Sequence, residues 1–70
     1  MSAVAAFDRQ DETDAAGAVA EAQAARSAAV RALMMAPRGK TAQRREALAR
    51  ATHALLEAEL VLKRVREGLA

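Results

Sequence analysis

Cysteine, tryptophan and tyrosine are all absent from this 70-residue chain. Without cysteine there is neither a disulfide framework nor a thiolate metal site, and the absence fits a reducing compartment. Phe7 is the single aromatic residue, so the large side chains that usually anchor a self-sufficient core are missing. Val, Thr and Phe are too sparse to build a sheet. No stretch approaches the ~20 apolar residues of a membrane span, and no basic region followed by an apolar run marks a secretory signal at the N-terminus. These absences leave a cytoplasmic, soluble, all-α protein as the expectation. At this length a lone core is marginal without a disulfide, a metal or a partner.

What is present is mostly alanine. It supplies roughly three-fifths of the 53% hydrophobic content, and burying a methyl group stabilises far less than burying a leucine. Alanine is also the best helix former. The net charge of +2 conceals a polarised layout. Asp8, Asp11, Glu12, Asp14 and Glu21 load the first third, opposed there by Arg9 alone. The middle carries Arg26, Arg31, Arg38, Lys40, Arg44, Arg45 and Arg50 against Glu46, and the last third is balanced.

Periodicity predicts two long helices. Residues 1–13 read as an N-terminal arm, frayed or ordered only by a partner, with Ser2 able to cap a turn or two. Residues 14–70 read as a hairpin: a helix over about 14–35, capped by Thr13 or Asp14 and weakened by Gly17, a turn over 36–41, and a helix over about 42–67. Pro37 stops the first helix and biases Ala36 away from helical angles. Thr41 is the expected N-cap of the second, and Lys63, Arg64 and Arg66 complement its C-terminal dipole. So short a connection makes the helices antiparallel. The fold class expected is a two-helix antiparallel coiled-coil hairpin.

The interhelix seam is set by spacing. In the second helix Leu48, Ala51, Leu55, Ala58, Leu62, Val65 and Leu69 recur at alternating steps of three and four. The first helix returns a thinner stripe, Ala15, Val19, Ala22, Arg26, Ala29 and Leu33. Arg26 interrupts it and is expected within reach of Glu59, as a register-fixing ion pair or, alternatively, as a contact for a partner's acidic group.

Three other features invite a functional reading. Leu56 and Leu60, together with Ala49, sit far around the helix from the seam; they are either ordinary exposed leucines or, with Val61, a second contact surface for another protein or a second copy. Met34 and Met35 close the first helix, either filling gaps beside the turn or forming an adaptable binding surface. Arg38, Lys40, Arg44 and Arg45 cluster at the tip as candidate anion contacts, although no glycine-rich phosphate loop or interleaved aromatic supports them. A solvated basic tip is the simpler reading. His53 lacks a spaced ligand set and reads as a surface residue. No serine or threonine lies in a nucleophile motif, so neither catalysis nor a cofactor is expected.

From Ala28 to Leu69 the chain resembles the small co-chaperones of the type III secretion needle, the YscE/PscE-like family. The likeness rests on Met34-Met35 before a basic Pro/Gly turn, then Ala54-Leu55-Leu56-Glu57-Ala58-Glu59-Leu60-Val61-Leu62. The chain departs from that family in a slightly longer turn and in lacking aromatics before His53. The resemblance implies a helical hairpin that pairs with a larger TPR-like chaperone and helps keep the needle subunit unpolymerised. A different reading is a homodimeric four-helix bundle that binds nucleic acid or a transcription factor through its basic tip.

Overall fold

A computed structural model describes residues 7–69, with the side chain of Leu69 outside the description. It contains two helices, α1 (Arg9–Met34) and α2 (Thr41–Leu69), and no strand among the described residues. They pack along their length as an antiparallel hairpin, a rod with extents of 59 × 14 × 12 Å. The all-α hairpin expected from periodicity is the observed architecture.

Helix α1 begins earlier than the apolar pattern suggests. Asp8, not Thr13 or Asp14, is its N-cap: Asp8 Oδ1 accepts from the Asp11 N–H at 2.9 Å, and the Asp8 N–H donates to Asp11 Oδ2 at 2.9 Å. This is a reciprocal capping box, with aspartate in the place more often held by Glu or Gln. Asp11 and Glu12 lie in the first turn, where the helix dipole favours negative charge. Residues 9–13, assigned to the arm on sequence alone, are therefore helical. The proposed Ser2 cap lies outside the described residues.

The connection follows from two residues. Met35 closes α1 with its N–H on the Arg31 carbonyl at 3.1 Å, and Pro37 begins a four-residue turn closed by the Lys40 N–H on the Pro37 carbonyl at 3.1 Å. Gly39 sits inside that turn at φ +86°, a left-handed conformation strained for residues with a Cβ. Lys40, rather than Thr41, takes the N-cap place of α2, because its carbonyl accepts the first helical bond from the Arg44 N–H at 3.0 Å. Thr41 is already the first helical residue. Helix α2 extends two residues past the expected end, to Leu69.

The seam runs as the spacing predicts, with Leu48, Ala51, Leu55, Ala58 and Leu62 half-buried and Val65 buried. On α1, Ala15 is buried, while Val19, Ala22, Ala29 and Leu33 are half-buried. Among the described residues only Ala15 and Val65 fall in the buried class, and no side chain is wholly enclosed. Two helices cover only one side of each other, and alanine adds little where they do meet. The best-covered part of the interface is therefore its open end, where Phe7 folds over Gly68.

Candidate interaction surfaces

The largest exposed apolar side chains are Met34, Met35, Leu56, Leu60 and Val61. Leu56 and Leu60 are 59% and 46% exposed. At 100° per residue they lie on the side of α2 turned away from the Leu48–Val65 seam, and Val61 lies on its flank. The same heptad-like spacing carries this outer stripe through Arg45, Ala49 and His53 on one side and Lys63 and Glu67 on the other, all exposed.

Met34 and Met35 are 80% and 81% exposed. This corrects the gap-filling role: the chain turns at Met35 before either side chain can fold under α2, and both project from the tip. They are available as a surface and contribute nothing to the core.

The basic tip is less uniform than its sequence suggests. Arg44 is half-buried, and its Nη1 donates to the Ala32 carbonyl at 3.1 Å. That carbonyl belongs to the last turn of α1, where no helical partner exists, so Arg44 caps α1 from the start of α2 and opposes its negative dipole end. Arg44 is thereby withdrawn from the anion-contact set. Arg38, Lys40 and Arg45 remain exposed, and among the described residues no buried polar side chain joins them.

Arg26 does not reach Glu59. Its Nε donates to Thr52 Oγ1 at 3.1 Å, about two helical turns nearer the hairpin turn than Glu59. Glu59 is exposed and lines, with Val19, Leu62, Lys63, Arg66 and Glu67, a shallow open groove of ≈520 Å³. The interhelix ion pair lies elsewhere: Arg66 Nε meets Glu12 Oε2 at 3.1 Å. Apolar spacing does not reveal this pair, because Glu12 lies in the polar first turn of α1, ahead of the apolar stripe. On the opposite flank, Phe7, Asp11, Asp14, Ala15, Val61 and Val65 line a second groove of ≈310 Å³.

His53 is exposed, as expected, and its Nδ1 lies 3.1 Å from Glu57 Oε1 one turn on. The (i, i+4) spacing of the two residues makes this pairing legible in the sequence. No group of three or more His, Asp or Glu is placed to hold a metal among the described residues. No helix of the described residues is long and apolar enough to cross a membrane. Comparison with family models, curated proteins and solved structures found no match to this chain.

Proposed function

We propose that this chain is a non-catalytic hairpin adaptor that completes its own fold by docking the outer face of α2 on a larger helical protein. The observation that carries the reading is the contrast between two buried residues inside the hairpin, Ala15 and Val65, and the two large aliphatic side chains on its outer face, Leu56 and Leu60, with Val61 also exposed on the flank of α2. A helical-repeat partner presents a concave helical surface that would cover such a stripe. Binding to the folded form alone then stabilises the hairpin by mass action.

The resemblance over Ala28–Leu69 supplies the setting. In that role the cytoplasmic chain stabilises a TPR-like chaperone, and the pair holds the needle subunit of a type III secretion system unpolymerised. The exposed Met34–Met35 pair adds an adaptable surface at the tip for either protein. Nothing in the basic tip favours nucleic acid over this reading, because Arg44 is already engaged and no aromatic stacks beside it.

Co-expression with a helical-repeat needle chaperone and its needle subunit tests the proposal. The expected result is a stable complex in which the hairpin melts higher than alone. Leu56→Asp with Leu60→Asp should weaken capture by ~2 kcal/mol or more, as loss of central apolar anchors does, while leaving the helicity of the free chain unchanged. Capture indifferent to both substitutions would sink this assignment of the face.

A further inference from the structure

Charge is segregated along the rod. Between Ala22 and Arg50 there are seven cations and one carboxylate, Glu46. These residues form the half containing the turn, because α1 ends at Met34 and α2 begins at Thr41. The other half holds Asp8, Asp11, Glu12, Asp14 and Glu21 on α1 against Arg9, with α2 balanced beyond Ala51. The hairpin is therefore positive at its tip and negative at its open end. On the outer stripe of α2, Arg45 lies towards the tip, Leu56 and Leu60 between, and Lys63 followed by Glu67 towards the open end.

From this we infer that the free chain pairs with a second copy of itself, antiparallel, through the outer stripe of α2. A two-fold axis between Leu56 and Leu60 sets each Leu56 against the partner's Leu60, twice. The same register sets Ala49 of one copy opposite the partner's Glu67 and Arg45 about one helical turn from it, ~6 Å along the axis, within reach of a long side chain. It also brings each positive tip alongside the other's negative end. A parallel pair would instead set tip against tip. Helix axes in contact lie about 8–10 Å apart, close to the Debye length at physiological salt, so the charge term is felt and is reduced by added salt. The apolar centre is small, which makes the dimer weak and reversible. This inference rests on the outer stripe being the docking face: a second copy covers it until the larger partner displaces that copy.

Sedimentation over a concentration series, at low and high salt, tests the pairing. The wild-type chain should move reversibly between monomer and dimer, with weaker association at high salt. Arg45→Glu and Glu67→Arg should each weaken the dimer by ~10-fold or more. An equimolar mixture of the two variants, or the chain carrying both changes, should recover association, because each reversed tip then meets a reversed end. Both positions are exposed, and circular dichroism of each variant verifies that the hairpin is intact. A chain that is monomeric throughout overturns the inference, and so does a dimer indifferent to salt or unrescued by the paired reversal. These outcomes are separate from the adaptor reading: a monomer that still captures the chaperone removes only the self-pairing. A charge-responsive dimer that captures no helical partner removes only the adaptor.

Discussion

Val65 is the most enclosed side chain described, at 3% exposure, and Val65→Ala measures how much the seam holds. The substitution removes two methyl-sized groups from a buried site, a loss of roughly 1.6 kcal/mol at ~0.8 kcal/mol per group, with a small cavity term added. Alanine recovers about 0.5 kcal/mol through its better helix propensity, so the net destabilisation is ~1–1.5 kcal/mol. For a domain of this size that corresponds to a fall in melting temperature of roughly 5–10 °C. Val61→Ala is the control: the same chemistry on the same helix, but at 50% exposure. Half the burial is lost there, about 0.8 kcal/mol, and the propensity gain offsets most of it. The two variants should be compared by thermal and urea melts followed by circular dichroism, at low protein concentration. Equal melting temperatures for the two would refute the assignment of Val65 to the interior and Val61 to the surface.

Three further outcomes follow from the local geometry. Asp8→Ala removes the capping box and should destabilise α1 by about 1 kcal/mol, with loss of helical Cα chemical shifts at residues 9–13; unchanged shifts there would place the cap elsewhere. Gly68→Ala would put a Cβ 2.5 Å from Phe7 Cδ2, so it should stabilise by up to ~1 kcal/mol in a Phe7→Ala background and clearly less in the wild-type chain. Equal gains in both backgrounds would mean that Phe7 does not pack there. A double-mutant cycle on Arg26 and Thr52 should give a coupling of ~0.5 kcal/mol, and one on Arg26 and Glu59 a coupling near zero; the reverse ranking would overturn the observed register.

Most of the hairpin was legible from spacing because the relevant physics is local. The three-and-four recurrence of Leu48, Leu55 and Leu62 reports which side of a helix is apolar, and Pro37 and Gly39 report where the chain must turn. The start of α1 was misplaced because apolar periodicity is silent before Ala15. The signal there was chemical: Asp8 followed three residues later by Asp11, a capping box in its aspartate form. The interhelix contacts were harder. A slip of about two turns along α2 exchanges Thr52 for Glu59 as the neighbour of Arg26, and nothing in an alanine-rich stripe penalises that slip strongly.

The candidate docking face divides in the same way. That Leu56 and Leu60 lie off the seam follows from counting residues at 100° each, before any coordinates. The sequence determined by itself two long helices, the turn between them, the seam, and the separation of positive from negative charge along the chain. It did so because helix propensity, chain breakers and periodicity act within a few residues of one another. Only the tertiary structure decided that Arg44 caps α1 instead of awaiting an anion, that Met34 and Met35 stand in solvent, and that Glu12 rather than Glu59 receives an arginine. Those outcomes depend on how two helices are offset and rotated against each other, and a side chain's neighbours across that interface are set by distances no local pattern encodes.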